Sequence, residues 1–406
     1  MPNVPTASPD PRSLSPRTDS LYTLLVFLSL VLVLVVVILS AYLRLAGSGL
    51  GCAGWPACYA LIKSPAGGTE SLAAAHLVPA WATVIHRLAA STLGAMVVGI
   101  TLMALRRRRR PGHNTGLSLA VLGLTVFLSV LGYKTPSPLL PWVTLSNLLG
   151  GMAMLAMLWW LGQRSLFMNR VSEPTPPEGN GARVARHGSP PSPLAGEGMG
   201  MRGDPPHPLP SPGGRGEVGE HLHFGGDGVR GHEIPEGTDS KNVPARALRP
   251  WARIGVFMVL FQIALGGWVS ANFAALACTG LPGCGNFPWL DGPWRESLNL
   301  FRVLPITDGG VIITGDIAKL IHMIHRLGAV VTFLYIGWLG WRGFRLGDRY
   351  RGTGTAMLVL LLLQLLLGAA AVVFGLPLAM VTAHNMVAAL LLLSSVNLMH
   401  LLTPSA

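Results

Sequence analysis

The chain alternates long apolar runs with short polar connections. Eight runs are at least 18 residues long, which is enough for a helix to cross the apolar core of a bilayer. They lie at residues 22–43, 81–105, 117–134, 141–162, 251–272, 318–340, 355–375 and 379–402. The pattern predicts an all-α polytopic membrane protein with eight transmembrane helices. The first run is too long for a signal peptide, and no small-residue cleavage site follows it, so we expect it to be retained.

One long segment, residues 166–248, interrupts this pattern. It is dense in proline and glycine and nearly free of apolar runs, so it cannot bury a core of its own. We predict a disordered cytoplasmic loop there and a disordered tail at 1–20. Two domains remain, 21–165 and 249–403, and each contains four of the apolar runs.

The two domains repeat the same motifs in the same order. The motifs are an apolar stretch that ends at a cysteine, the sequence Ile-His-Arg-Leu, and a Val-Thr-x-x-Asn sequence. They lie at 39–52, 85–88 and 143–147 in the first domain and at 265–278, 324–327 and 381–385 in the second. The repetition predicts two tandem, pseudo-symmetric four-helix bundles.

The charge of the chain fits a membrane protein better than a nucleic-acid-binding one. The net charge is +12, but only 12% of the residues are charged. Arginines cluster between predicted spans, at 106–110 and 342–351, where the cytoplasmic side of a membrane protein carries them. We therefore expect lipid as a partner and no nucleic acid. The expected location is a bacterial inner membrane, with both termini cytoplasmic and the cysteine-containing loops periplasmic.

The four cysteines form two closely spaced pairs in predicted outer loops. The pairs are Cys52 with Cys58 and Cys278 with Cys284. An oxidising outer space favours two small disulfide loops, Cys52–Cys58 and Cys278–Cys284. A redox-active role for one pair stays open. Four thiols divided between two loops make a poor zinc site.

Two histidines of the second domain lie at similar depth near the outer ends of their helices. His325 belongs to the sixth apolar run and His384 to the eighth. Neutral imidazoles on facing helices suit the two axial positions of a haem iron. The alternative is a pair of histidines that only bond neighbouring carbonyl or hydroxyl groups.

Other polar residues accompany these histidines. Arg326 follows His325, and its guanidinium is suited either to pairing with anionic haem propionates or to snorkelling to the membrane interface. His322 lies one turn earlier on the same face and nearer the predicted surface. We expect it beside the propionates or beside the ligand rather than on the iron.

The first domain departs from this arrangement. His86, followed by Arg87, corresponds to His325, but Ser146 stands where the second domain has His384. A neutral serine hydroxyl is a poor iron ligand. The first domain therefore offers one axial ligand where the second offers two.

Taken together, these motifs resemble the haem A synthase family, whose members convert haem O to haem A for cytochrome oxidase. The resemblance covers both domains and excludes only the proline- and glycine-rich segment. It is carried by GSGLGCAGWPAC, VIHRLAAS, VTLSNLLGGMAMLA, LGGWVSANFAALAC, IHMIHRLGAVV and VTAHNMVAALLLL. Any one of these motifs alone is a weak signal, but their order is specific.

The resemblance implies an oxidoreductase with haem b as cofactor. The iron ligands of haem b are His325 and His384 by position, with Arg326 and His322 close by. The first domain receives the substrate haem O, and the catalytic residue is His86, which also faces the substrate iron. The substrate environment further comprises Arg87, Ser146, Asn147 and Thr83. The reaction is oxidation of a haem methyl group to a formyl group through an alcohol.

Two residues depart from the family pattern. Ser146 replaces a second histidine, and Thr83 replaces a glutamate three residues before His86. Either the single ligand suffices for a substrate that must enter and leave, or this half has lost catalysis. We expect catalysis to be retained. The alternative function is a non-catalytic, haem b-binding assembly factor or electron-transfer cytochrome. The sequence leaves open docking to the haem O synthase or to oxidase subunits, and a homo-oligomer.

Overall fold

Helices make up nearly all the regular structure of the chain. The computed structural model describes residues 16–47, 80–108, 114–134, 140–171, 243–280, 283–284, 291–307 and 312–403. Within these residues the helices are α1 Pro16–Gly47, α2 Ala80–Arg106, α3 Thr115–Lys134, α4 Pro141–Val171, α5 Val243–Ala271, α6 Trp294–Ser297, α7 Gly315–Arg345, α8 Asp348–Val373 and α9 Leu378–Leu401. The only β-pairing in the described ranges is an isolated bridge between Ile306 and Ile312.

Eight of these helices, all except the one-turn α6, are long and apolar enough to cross a membrane. This confirms the eight predicted spans and the all-α fold class. Large apolar side chains such as Leu88, Leu327 and Phe257 stay exposed on the helix surfaces. In a membrane these side chains contact lipid, because lipid tails are as apolar as the protein interior.

The helices extend beyond several predicted boundaries. The helix α4 continues to Val171, and α5 already begins at Val243, so both ends of the expected 166–248 loop are helical. The helix α1 likewise begins at Pro16, inside the expected tail. Polar and basic residues continue each helix past its apolar run, which hydropathy alone does not detect. The rest of the loop, the rest of the tail and the Cys52–Cys58 pair lie outside the described residues.

The helices contact one another in two rings of four. In the first ring α1, α2, α3 and α4 touch in cyclic order, and in the second α5, α7, α8 and α9 do so. The rings meet where α4 contacts α5 and α9 and where α1 contacts α9. Buried leucines, valines and methionines from both rings form one continuous core. A polar chain crosses the junction, since Gln163 donates to Asn397 and Asn397 donates to Thr353.

Tight turns end two helices at the outer side of the second ring. Phe273, at φ 54°, follows α5, and Leu376, at φ 60°, lies between α8 and α9. The left-handed conformation stops each helix and satisfies its last carbonyls. The amide of Leu376 donates to the carbonyl of Ala371 at 2.6 Å. These turns bring Ala275 and Leu376 to the wall of a cavity inside the second ring.

Candidate haem-binding sites

A cavity lies inside the second ring, between α5, α7, α8 and α9. Its volume is about 380 Å³, which falls within the range of about 300–1,000 Å³ typical of small-molecule and cofactor sites. Its wall is mainly valine, leucine, isoleucine and alanine. His325, His384, His322 and Arg326 all line it. The structure thus brings together the four residues that the sequence singled out in this half; we call this space the C-terminal cavity.

A glutamine contacts each of the two histidines expected to bind iron. Gln262 Nε2 of α5 lies 3.0 Å from His325 Nδ1, and it also donates to the His325 carbonyl at 3.0 Å. Gln364 Nε2 of α8 lies 3.0 Å from His384 Nε2. One ring nitrogen of each histidine is therefore fixed by an amide from the neighbouring helix. The other nitrogen of each ring makes no such contact.

A glycine faces each of the same two imidazoles. A Cβ added to Gly266 would lie 3.0 Å from Cε1 of His325, and one added to Gly368 would lie 3.0 Å from Cε1 of His384. Contacts this short are tighter than nearly all real Cβ contacts. Each ring therefore packs on bare helix backbone, and only glycine leaves it room.

The residues present fit a haem better than a bare metal ion. The described part of the chain holds no group of three or more His, Cys, Asp or Glu side chains that could bind an ion. A haem iron needs only two axial ligands from the protein, because the macrocycle supplies the other four. His384 Nδ1 is buried and has no hydrogen-bond partner among the described residues. Such an orphaned nitrogen suits a metal ligand.

His322 is buried in the wall of the cavity. The residue is only 4% exposed, and it lies nearer the start of α7 than His325, as expected. Residues that follow α5 pack against this part of α7, since Ala274 and Ile321 belong to one buried cluster. His322 therefore belongs to the cavity wall, beside His325.

Arg326 fastens the outer loop that follows α5. Its guanidinium donates to the carbonyl of Gly280 at 2.6 Å, to that of Gly283 at 3.3 Å and to that of Cys278. The structure pairs Cys278 with Cys284 in a disulfide, so all three carbonyls belong to one closed loop. This placement differs from snorkelling, because the arginine is held by protein carbonyls. A contact between Arg326 and a propionate stays a prediction.

A second cavity lies inside the first ring, between α1, α2, α3 and α4. Its volume is about 760 Å³. His86, Arg87 and Asn147 line it, as expected, and we call it the N-terminal cavity. Thr83 and Ser146 are not among its lining residues. Asn147, the next residue of α4, lines the cavity instead of Ser146.

The wall of the N-terminal cavity is more polar than that of the C-terminal cavity. It includes the half-buried Arg44 and several hydroxyl side chains, namely Ser40, Ser91, Thr125, Ser129 and Thr144. The hydroxyls of Thr125 and Ser129 donate to carbonyls of their own helix, both at 2.8 Å. They therefore add local polarity without fixing the His86 ring.

Comparison with known proteins identifies the family of the chain. The family model for the cytochrome oxidase assembly proteins, COX15-CtaA, matches residues 23–188 and 229–396, which is most of the chain. The chain belongs to this family. It is also 29% identical over 396 residues to a protein of Shewanella oneidensis named heme A synthase, and the alignment covers 94% of this chain and 96% of that protein.

Sequence reasoning missed three polar residues of this family member's cavities. Gln262 and Gln364 each interrupt an apolar run and precede a glycine by four positions, in QIALG and QLLLG. This shared spacing of glutamine and glycine is the sequence signal that could have identified both glutamines. Arg44 lies in the first span, where a buried guanidinium is unusual and marks a functional region. It looked like an ordinary residue at the end of an apolar run.

Proposed function

We propose that this chain is a haem A synthase, which oxidises a methyl group of haem O to a formyl group to make haem A for cytochrome oxidase. The Shewanella oneidensis relative of that name matches nearly the whole chain, which supports the proposal. The observation that carries it is the presence of two histidine-lined cavities in one fold. An oxidation of one haem that uses a second haem needs two such sites.

In this proposal the C-terminal cavity holds haem b, with His325 and His384 as the axial ligands of its iron. A haem bound there supplies one-electron transfer. The protein surrounds both imidazoles with an apolar wall, orients each through a glutamine and leaves space through Gly266 and Gly368. His322 lies beside the ligand His325 and completes the wall.

The N-terminal cavity receives haem O in this proposal, and His86 is the catalytic residue that faces the substrate. The cavity is larger, as suits a substrate that enters and leaves. Arg44 and Arg87 line it, and the lining residues that the structure describes include no Asp or Glu. Two guanidinium groups suit the two carboxylates of a haem, since arginine pairs with carboxylates through charge-assisted hydrogen bonds. Asn147 and the lining hydroxyls complete the substrate environment.

The cell location follows the same proposal. The protein is a multi-pass membrane protein, and we place it in a bacterial inner membrane with both termini cytoplasmic. Arg342 and Arg345 end α7 on the side assigned to the cytoplasm. The loop closed by Cys278 and Cys284 is then periplasmic, where disulfides persist. Membrane lipid, the haem O synthase and oxidase subunits are the proposed partners.

Pigment analysis tests the function. The full chain is expressed in cells that make haem O but lack haem A, and the haems of the purified protein and of the membranes are extracted and separated. We expect haem b together with haem O or haem A in the protein, and haem A in the membranes. The His86→Ala variant should keep haem b and form no haem A. Haem b alone, with no haem A in cells carrying the wild-type chain, would contradict the enzyme and favour an assembly factor or electron-transfer cytochrome.

A further inference from the structure

The two expected haem ligands are contacted by the same short motif from two different helices. On α5 the motif is Gln262-x-x-x-Gly266, and it faces His325. On α8 it is Gln364-x-x-x-Gly368, and it faces the other ligand, His384. Residues four apart lie on one face of a helix, so in each case the amide and the bare backbone meet the same imidazole.

Both glutamines also carry a buried oxygen that lacks a partner. Gln262 Oε1 and Gln364 Oε1 are buried, and neither accepts a hydrogen bond within the described part of the chain. An unsatisfied buried acceptor costs about 1–3 kcal/mol. A donor that becomes available only when a ligand binds would remove that cost.

We propose that Gln262 and Gln364 are positioning residues that accept a hydrogen bond from the imidazole N–H of His325 and His384 when these histidines hold a haem. This inference rests on the proposed function of the C-terminal cavity. A neutral imidazole carries one proton, and when one ring nitrogen binds iron the proton resides on the other. A half-turn of the glutamine amide then places its unsatisfied Oε1 against that N–H, and at Gln262 this turn breaks the bond to the His325 carbonyl.

The two histidines present different ring nitrogens to their glutamines. Gln262 faces Nδ1 of His325, which leaves Nε2 of that ring for the cavity. Gln364 faces Nε2 of His384, and Nδ1 is the orphaned atom. In this arrangement Nδ1 of His384 would bind the iron, and Nε2 would carry the proton that faces Gln364. Both ligands then present one nitrogen to the cavity and donate from the other.

An acceptor behind a metal-bound imidazole fixes the orientation of the ring and increases its basicity. A more basic ligand favours the ferric state of the iron over the ferrous state. The two glutamines therefore lower the reduction potential of the haem in the C-terminal cavity and strengthen its binding.

The N-terminal cavity lacks both glutamines and both glycines. Val36 and Ser40 occupy the corresponding positions of α1, and Thr125 and Ser129 show the same four-residue spacing on α3. The hydroxyls of Thr125 and Ser129 bond their own helix rather than a histidine. The glutamine–glycine motif therefore occurs in the C-terminal cavity, where we propose that haem is retained. It does not occur in the N-terminal cavity, from which the substrate haem must be released.

The test replaces each glutamine by leucine in the full-length protein. The matched control is Gln163→Leu, which removes the same amide from α4, where it bonds Asn397. The measurements are the midpoint potential of the purified holoprotein, its low-spin optical and paramagnetic resonance spectra, and haem affinity by titration. We expect Gln262→Leu and Gln364→Leu to raise the potential and to weaken haem binding about 10–100-fold. Gln262→Glu and Gln364→Glu retain an oxygen acceptor and should keep the potential at or below that of the wild type.

Two outcomes separate this inference from the proposed function. If the leucine variants bind less haem but the bound haem keeps the wild-type potential and spectrum, the glutamines are only structural and the inference fails. The same conclusion follows if Gln163→Leu shifts the potential equally. If His325→Ala retains the wild-type low-spin spectrum, the haem site itself is misplaced, whatever the glutamine variants do.

Discussion

Each ring of four helices contains one cavity, and the two cavities differ in volume and in the residues that line them. The C-terminal cavity is small and apolar, and two of its three histidines, His325 and His384, each contact a glutamine and a glycine. The N-terminal cavity is about twice as large, at about 760 Å³ against about 380 Å³, and has one histidine and two arginines in its wall.

The difference suits a protein in which one bundle retains its haem and the other exchanges its substrate haem. A haem held by two oriented imidazoles exchanges slowly, because both ligands must release it together. A haem held by one histidine, with charged groups at its carboxylates, can enter and leave. The presence of Ser146 in place of a second histidine is therefore compatible with catalysis. The absence of the glutamines and glycines from this cavity is likewise compatible with exchange of the substrate haem.

The largest expected effect comes from removing one of the two proposed iron ligands of the C-terminal cavity. His325→Ala and His384→Ala should each abolish the low-spin haem spectrum, because one imidazole cannot complete a six-coordinate iron. His86→Ala should leave that spectrum intact and abolish haem A formation. Optical spectra of the purified variants, together with haem extraction from the membranes, measure both effects.

Similar behaviour of these variants would contradict the proposed difference between the two cavities. Loss of the low-spin spectrum in His86→Ala would place the retained haem in the N-terminal cavity. Normal haem A formation by His86→Ala would remove this residue from the substrate site. A matched control is His400→Ala, since His400 lies at the inner end of α9, packed against Trp160, and lines neither cavity.

The sequence predicted the parts of this architecture that depend on local pattern. Apolar runs located all eight spans, and the repeated motifs led to His325, His384 and His86. The sequence could not show what surrounds them, because these contacts join distant positions. Gln262 is 63 residues from His325, and Arg326 reaches a carbonyl 46 residues away. Helix packing, rather than hydropathy, decides such contacts.

Ser146 and Arg44 show the same limit in the other half. The motif alignment placed Ser146 opposite His86, but Thr144, Asn147 and Leu148 of α4 line the cavity and Ser146 does not. Arg44 closes an apolar run and gave no local signal of facing inward. Which face of a helix turns toward a cavity depends on its neighbours, and those were unknown from the sequence.

The second-largest effect is expected from filling the space beside an imidazole. Gly368→Ala puts a Cβ 3.0 Å from Cε1 of His384 and should displace the ring and reduce haem content sharply. Overpacking of this kind costs about 1–3 kcal/mol. Gly352→Ala on the same helix is the control, since nothing lies within 4 Å of its added Cβ. The haem-to-protein ratio measures the effect, and equal ratios for the two variants would refute the role of the glycine.

A smaller effect is expected at the outer loop of the second ring. Arg326→Gln removes the charge that holds the carbonyls of Cys278, Gly280 and Gly283, and each such bond contributes about 1.5–3 kcal/mol. The loop should open more readily, so mild reductant should expose the Cys278 and Cys284 thiols faster to alkylation. Lys319→Gln is the control, because it removes only an exposed ion pair with Asp316. Equal alkylation rates in both variants would show that Arg326 does not fasten the loop.

The smallest effect should come from restoring the missing histidine alone. Ser146→His places an imidazole at the position that matches His384, but Ser40 and Ser129 still occupy the room that Gly266 and Gly368 leave in the other half. We therefore expect no second low-spin haem signal from this variant. Combining it with Thr125→Gln and Ser129→Gly supplies the missing amide and space, and should add that signal and slow the release of the substrate haem. Paramagnetic resonance of the two purified proteins measures the difference. A second low-spin signal from Ser146→His alone would show that a histidine pair is sufficient, and that the glutamines and glycines do not distinguish the two cavities.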